Sequence, residues 1–407
     1  MARPSRRGRR ARIPTRPLEG FRVVEMAHHL AAPLAAMHLG DFGADVVKVE
    51  SLEGEDWRRW GRPSPAGDSQ LYLAINRNKR SLSVEIGTRE GRAILERLLA
   101  TADVFLTNYA PAVLRELRLD ARALRRRHPR LIACALSAFG TRGPQVDRRA
   151  FDLIASGEAG LLLKPEGVPA PLVNAAPLTD TMSSQILAYG VALALLHRER
   201  TGRAQAVESA LLNATVALQA HRFIWLDSDA EPDLAPPRNS ILYRAYETAD
   251  GFVTIAVIAK RLFERLCRAA DLADVLADPR YASWAKVSEW QAELRERFER
   301  RFRERTTDEW LKVLGEAGVP AGRVQWGAAV FQHPQLVANR AVVHTRHPKA
   351  GGMRTMGFPL ALSDTPARIA RHAPALGADT ARILAELGYD APRIRKLAAD
   401  GVVLVAR

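Results

Sequence analysis

An α/β architecture, with a large parallel-sheet domain and a smaller α+β domain, is what this sequence predicts, on three observations. The first is length, because 407 residues exceed what one hydrophobic core usually spans, so two lobes are expected. The second is an N-terminal alternation of short apolar strands with helically spaced segments. The third is a change of pattern after Asp227, where an acidic, Pro-rich stretch gives way to a hairpin followed by amphipathic helices.

The elements follow in order. Residues 21–26 read as an apolar strand and residues 31–39 as a helix, with Gly40 and Gly43 ending it before a second strand over 44–49. Two strands joined by a helix form a βαβ unit, which implies parallel pairing and a Rossmann-like sheet. The pattern recurs as a helix over 90–100, a strand over 104–106, a helix over 112–116 and a strand over 131–136. A long apolar helix follows Asp180, and a further helical stretch runs over 207–226. The segment SDAEPDLAPPRN marks a linker. Beyond it, ILYRAYETADGFVTIAVI predicts two strands about Ala249-Asp250-Gly251, and helices are expected over 259–269, 289–301 and 307–317. From about Ala341 the chain is strand-like and loop-like until a last helix over 379–387. The expected organisation is a basic tail (1–16), the first part of a large domain (17–226), a linker and small domain (227–340), and a C-terminal segment returning to the large domain (341–407).

Composition narrows the class. Hydrophobic residues make up 47% and charged residues 26%, ordinary for a globular protein, and no charge-free apolar run is long enough to predict a membrane span. Cys134 and Cys267 lie far apart in apolar settings, so they read as reduced core thiols of a cytoplasmic protein, without a disulfide framework or metal site. The formal charge of +15 is largely local: residues 1–16 hold seven Arg and no acid, leaving 15 − 7 = +8 for the rest. Such a run reads as a solvated tail, and it lacks the interleaved aromatics that stack nucleic-acid bases.

Several chemistries are disfavoured. Glu50 ends the second strand, as a ribose-binding acid would, but the first strand-to-helix turn is AHHLAAP rather than GxGxxG, so backbone cannot approach a pyrophosphate closely. His28 and His29 are adjacent, and on a regular strand or helix they cannot both face one ligand. No H-x-x-x-H pattern offers a metal site. Ser137, in ALSAFG, lacks the glycines of a nucleophile elbow.

Asp180 stands apart. It is the only acid between Gly167 and Leu196, and it sits where an N-cap would, followed by Thr181, Ser183 and Ser184. Local sequence favours a cap; a reactive carboxylate is the other reading. At a helix N-terminus the macrodipole favours the ionised form, so Asp180 is expected to be charged at neutral pH.

The stretches PLEGFRVVEMAHHLAAPLAAMHLGDFGADVVKVE, NRNKRSLSVEIGTREGR, ADVFLTNYAPAVLREL and HPRLIACALSAFGTRGP resemble the class III CoA-transferases, the formyl-CoA transferase-like family. HRERTGRAQAVESALLNA, YETADGFVTIAV, EAGVPAGRV and LSDTPARI continue the resemblance in the same order, from Pro17 to Tyr389. The resemblance implies an enzyme that moves CoA from an acyl-CoA to a small carboxylic acid, with no permanently bound cofactor. It places the nucleophile on Asp180 and implies an aspartyl anhydride followed by an aspartyl-CoA thioester. It implies CoA contacts in loops holding His29, Leu30 and Ala31, then Ser51, then Val84, Glu85, Ile86 and Gly87, then Asn108, Tyr109 and Ala110, and finally Arg149. Arg149 reads as a phosphate partner or a solvated arginine, and Tyr109 as a ring for adenine or core packing. An interlocked homodimer is also implied, with neither membrane nor nucleic acid as a partner.

Some positions depart from the family pattern. Ser51 stands where many relatives carry a basic residue, and Glu116 replaces an arginine, with Arg115 adjacent as a substitute. Thr181, Met182 and Ser183 follow the nucleophile where glycine is common. Phe151, ahead of Asp152, lacks the imidazole that the racemases of the same fold use, which disfavours acid/base chemistry at an α-carbon and leaves Asp152 with a structural reading. A non-catalytic CoA-binding subunit of a heteromeric transferase is the other alternative.

Overall fold

A computed structural model describes residues 15–164, 168–230, 241–281 and 291–406. The basic tail, apart from Thr15 and Arg16, and the linker from 231 onward lie outside the described residues. The chain divides into two compact units, Met1–Asp233 with Arg340–Arg407, and Leu234–Asn339.

The strands, in chain order, begin with β1 (Arg22–Met26), β2 (Asp45–Glu50), β3 (Lys79–Val84), β4 (Val104–Thr107), β5 (Ile132–Ser137) and β6 (Val207–Ala210). They continue with β7 (Tyr243–Glu247), β8 (Phe252–Ala256), β9 (Ala321–Arg323), β10 (Val342–His347), β11 (Gly351–Met356) and β12 (Val403–Leu404). In the first unit a seven-stranded sheet has the order β12-β3-β2-β1-β4-β5-β6. Its strands β1 to β6 pair in parallel, while β12 joins β3 antiparallel. The parallel βαβ expectation therefore holds, and the architecture is a mixed α/β one with smaller antiparallel sheets beside the large sheet.

Helices α1 (Ala31–Asp41), α2 (Gln70–Ile75), α3 (Arg89–Thr101), α4 (Pro111–Glu116), α5 (Ala121–Arg127), α6 (Asp152–Glu158), α7 (Leu178–Thr201) and α8 (Leu211–Leu218) follow the N-terminal strands. Successive strand residues split between two apolar layers: Val24, Val47 and Phe105 pack with α3 residues Ile94, Leu95 and Leu98, and Val23, Val46 and Leu106 pack with α1 and α7. Burial on both faces is why these strands read as continuous apolar runs. All of α1 is buried, and its small residues Ala31, Ala32, Ala35 and Ala36 share a layer with Leu187 and Val191 of α7.

One sequence expectation is corrected, and one strand is added to the reading. Residues 207–226 are not one helix: β6 takes Val207–Ala210, α8 follows, and residues 223–226 are not helical. Val207, Ala210, Leu211 and Ala214 mimic helical spacing, but the open edge of β5 captures the first four residues in parallel register. Hydropathy also offers no strand at β3, because Lys79 and Arg80 interrupt it; both are nonetheless buried.

Gly91, in the first turn of α3, fits because it has no side chain: a Cβ there would lie 1.9 Å from the Glu85 carbonyl oxygen. Gly91→Ala is expected to destabilise the protein by about 1–3 kcal/mol, read as a lower urea midpoint, since the clash is with backbone. An unchanged midpoint would show that the turn yields.

The second unit holds the predicted hairpin, β7 with β8 antiparallel and β9 added to β8. Its helices among the described residues are α9 (Lys260–Ala269), α10 (Ala273–Ala277), α11 (Gln291–Phe302), α12 (Thr307–Glu316), α13 (Ala328–Gln332) and α14 (Pro334–Ala338). Tyr246, Phe298, Phe302 and Trp310 form its aromatic core. Back in the first unit, α15 (Thr380–Glu386) and α16 (Ala391–Ala399) pack beside α3 and deliver β12.

Candidate active site

Strand order reverses between β1 and β4. At such a switch point the turns leaving adjacent strands diverge and open a crevice outside their carboxyl ends. A cavity of about 580 Å³ opens there, lined by His28, His29, Leu30 and Ala31 after β1, by Asn108, Tyr109 and Ala110 after β4, and by Arg148, Arg149, Phe151 and Asp180. Sequence reasoning assembled most of this wall from separated segments.

The turn after β1 overturns one expectation, because both histidines line the cavity. His29 takes a left-handed conformation, φ 63°, which breaks the strand alternation that would send successive side chains apart. Four hydrogen bonds hold the turn. Lys48 Nζ donates to the Ala27 carbonyl (2.9 Å), the His28 amide donates to Asn108 Oδ1 (3.0 Å), Asn108 Nδ2 donates to the His28 carbonyl (2.8 Å), and the His29 amide donates to Glu55 Oε2 (2.9 Å). The His28 and Tyr109 rings stack with centroids 5.2 Å apart, and His28 Nε2 lies 2.9 Å from the Tyr109 hydroxyl. Burial, then the Lys48 charge, lowers the His28 pKa, so its imidazole is neutral at pH 7. The ring that Tyr109 could offer to adenine is thus partly occupied by His28.

Beneath this turn lies a buried charge cluster that sequence reasoning missed. Lys48 Nζ is 2.7 Å from Glu25 Oε1 and 2.9 Å from Glu55 Oε1, and Lys79 Nζ is 2.7 Å from Glu25 Oε2, all four side chains fully buried. Burial opposes the Lys48 charge, but Glu25, Glu55 and Glu50 overcome it and raise its pKa. For Lys79 burial wins, and its pKa is pulled down to about 8. The signal was present: Glu25 and Lys48 each interrupt an otherwise apolar strand buried on both faces, a position charge occupies only when paired. Glu50 is likewise consumed, taking Arg58 Nη2 at 2.6 Å and Nε at 2.7 Å, so it is no ribose ligand.

Asp180 differs from expectation in two ways. Helix α7 starts at Leu178, its N-cap is Pro177, and Asp180 stands inside the first turn without capping it. The Asp180 amide instead donates to Asp152 Oδ1 at 2.9 Å, from the start of α6, so Asp152 performs the cap's task from another helix. Burial, and then the like charge of Asp152, raises the Asp180 pKa to about 7. The macrodipole stabilises a first-turn carboxylate by only about 0.3–2 kcal/mol, and these effects override it. Asp180 is therefore partly protonated at neutral pH rather than fully charged.

The remaining candidates fall elsewhere. Arg148 pairs with Glu158 (2.6 Å), whereas Arg149 lines the cavity with no ion pair among the described residues. Arg115 pairs with Asp147 (2.7 Å) and lines a neighbouring cavity of about 250 Å³ that shares Tyr109 and Ser137. Ser51, Val84, Glu85, Ile86 and Gly87 do not line the Asp180 cavity. The Ser51 carbonyl accepts from Ser83 Oγ, Val84 is a core residue, the Glu85 amide donates to the Val402 carbonyl, Ile86 packs on the core, and the Gly87 amide donates to Glu85 Oε1.

Fold and site together define an α/β enzyme whose cavity, at the sheet's switch point, sets the Asp180 carboxylate against neutral and cationic nitrogen groups, with Asp56 also in the lining. More narrowly, the chain belongs to CoA-transferase family III, whose model matches residues 18–380. It is 32% identical to the human succinyl-CoA:glutarate CoA-transferase over 396 residues, covering 95% of this chain and 90% of that protein. It is 33% identical to the succinate–glutarate CoA-transferase of Agrobacterium fabrum, covering 91% of this chain and 96% of that one. Among solved structures, a CaiB/BaiF family protein from Brucella suis superposes with a TM-score of 0.82 at 30% identity, covering 91% of this chain and 99% of that chain. No helix among the described residues is long and apolar enough to cross a membrane.

Proposed function

We propose that this protein moves CoA from an acyl-CoA donor to a short dicarboxylic acid by a ping-pong mechanism with Asp180 as nucleophile. The observation that carries this reading is the placement of Asp180 in the switch-point cavity, facing a wall of His28, His29 and Arg149. The ionised carboxylate attacks the thioester carbonyl, the C–S bond breaks, and CoA leaves as the thiolate, giving a mixed anhydride. The thiolate attacks the aspartyl carbonyl, releasing the first acid and leaving an aspartyl-CoA thioester. The second acid then enters, and the steps reverse to give its CoA ester and free Asp180. Arg149 suits a CoA phosphate, and His29, Leu30, Ala31, Asn108, Tyr109 and Ala110 form the wall along which the cofactor arm would lie. The dicarboxylic class rests on the substrates named for the human and Agrobacterium relatives.

The assembly is read as a homodimer, because α7 carries Tyr189, Leu193 and Leu196 exposed along one side and Phe223, Ile224 and Trp225 lie exposed beyond α8. Cys134 and Cys267 are buried free thiols, in keeping with a reducing cytoplasmic setting.

Incubation with succinyl-CoA followed by hydroxylamine is expected to leave a hydroxamate on Asp180, located by peptide mass spectrometry, and added glutarate should appear as its CoA ester. CoA exchange without any modification of Asp180 would sink the mechanism.

A further inference from the structure

Phe151 is an exposed phenylalanine beside a reactive carboxylate. It is 64% exposed, and it lines the cavity that holds Asp180. Its backbone is fixed where it stands. The Phe151 carbonyl accepts the Ile154 and Ala155 amides at 3.0 and 3.2 Å and so opens α6. The next residue, Asp152, accepts the Asp180 amide through Oδ1 at 2.9 Å, which sets Phe151 one residue from the group that anchors the nucleophile's peptide. The ring is braced as well. The His29 and Phe151 rings meet edge to face, with centroids 5.4 Å apart and an interplanar angle of 84°. His29 is held in turn by its left-handed backbone, φ 63°, and by the bond from its amide to Glu55 Oε2 at 2.9 Å.

A phenyl ring left in water forgoes the burial that most such rings gain, so an apolar group placed against it is favoured. Leu30, Ala31 and Leu211 extend the apolar lining of the cavity. Several polar side chains of the same lining are already engaged. Asn108 Oδ1 and Nδ2 are bonded to the His28 backbone, the Tyr109 hydroxyl meets His28 Nε2, and Arg148 pairs with Glu158. A methylene chain laid on Phe151 therefore gains burial, whereas a hydroxyl on that chain loses its water and finds no partner on the ring.

We propose that Phe151 is a specificity-determining residue that carries the carbon chain of the acceptor acid and selects unsubstituted short dicarboxylic acids over their hydroxy counterparts. The proposal rests on Asp180 being the nucleophile. In the second half-reaction an oxygen of the incoming carboxylate bonds to the aspartyl carbonyl carbon, the C–S bond breaks, and CoA leaves as the thiolate. The acid is then joined to Asp180 as the anhydride, and its chain runs from there over Phe151. Thiolate attack on the acid's own carbonyl carbon frees the Asp180 carboxylate and gives the new CoA ester. Phe151 makes and breaks no bond; it acts by contact with the chain.

Glutarate and 3-hydroxyglutarate make the test, because they are equal in length, have equivalent carboxyl groups and meet the same aspartyl-CoA intermediate. In a ping-pong reaction kcat/KM for the acceptor reports that half-reaction alone, so the ratio between the two acids is independent of the donor and of the CoA contacts. With succinyl-CoA as donor, the wild type should favour glutarate by about 10–100-fold. Phe151→Ala should bring the ratio below about threefold, chiefly through loss with glutarate. Phe151→Leu, which keeps an apolar wall, should hold the ratio within about threefold of wild type. Phe151→Gln, which can hydrogen-bond to the hydroxyl, should lower it as Phe151→Ala does, and carries the same contrast if Phe151→Ala does not fold. A residue that only opens α6, or that touches only the CoA arm, would slow both acids equally. An unmoved ratio in folded Phe151→Ala or Phe151→Gln therefore overturns the proposal, as does a wild type that takes the two acids alike. Asp180→Ala in the same panel separates the two ideas, since exchange by that variant removes the nucleophile reading itself, whereas its inactivity beside an unmoved Phe151 ratio removes the specificity role alone.

Discussion

Asp180→Ala is expected to lower CoA exchange by at least about a thousandfold, because a covalent nucleophile acts as a unit with the groups positioned around it. Thermal stability should be retained or increased, and the sign depends on pH. The folded protein raises the Asp180 pKa from its ordinary 3.8 to about 7. A carboxyl raised in the folded state carries no penalty below about pH 4 and the full penalty of ionisation above about pH 7. Asp180→Asn should therefore melt higher than wild type at pH 8, with the gain fading toward pH 4. In the wild type, kcat/KM should rise as pH crosses about 7. Melting curves at the two pH values, beside exchange assays across the range, check all three expectations. A variant that keeps even a tenth of wild-type exchange would end the case for Asp180.

Lys48→Met is expected to destabilise the protein by about 3–5 kcal/mol, because removing one member of a buried ion pair leaves its partners charged and without solvent. Glu25 and Glu55 both close on Lys48, and Glu55 also holds the His29 amide. The loss should therefore reach the cavity, loosening the left-handed turn that turns both histidines into it. Adding Glu55→Gln should recover part of the stability, since one of the stranded charges disappears while an oxygen remains for the His29 amide. Urea denaturation of the single and double variants measures the recovery. A single variant within about 1 kcal/mol of wild type would show that water reaches the cluster in solution.

The fold was legible because its signals are local. Alternating apolar strands and helices over residues 21–136, the hairpin about Asp250, and the isolation of Asp180 all follow from side-chain periodicity along the chain. Where local signals compete, the reading slipped. The spacing of Val207, Ala210, Leu211 and Ala214 suits a helix, yet the free edge of β5 converts four residues to strand. Lys79 and Arg80 hide β3, because a buried cation reads as exposed until its partners are known. Those partners are Glu25, more than fifty positions earlier, and Asp45.

The site divides in the same way. Family motifs in the sequence point to Asp180 and to the turns after β1 and β4, and the structure brings these into one cavity. What only the tertiary structure decided is the electrostatic company of Asp180. The sequence alone determined a lone acid at the mouth of an apolar helix, where the helix field argues for full ionisation. Folding brought Asp152, 28 positions away, onto its amide, withdrew the Asp180 carboxyl from water, and raised its pKa to about 7. Desolvation and the charge of a neighbour depend on distances in space, which no pattern along the chain encodes, whereas periodicity and isolation are properties of the chain itself.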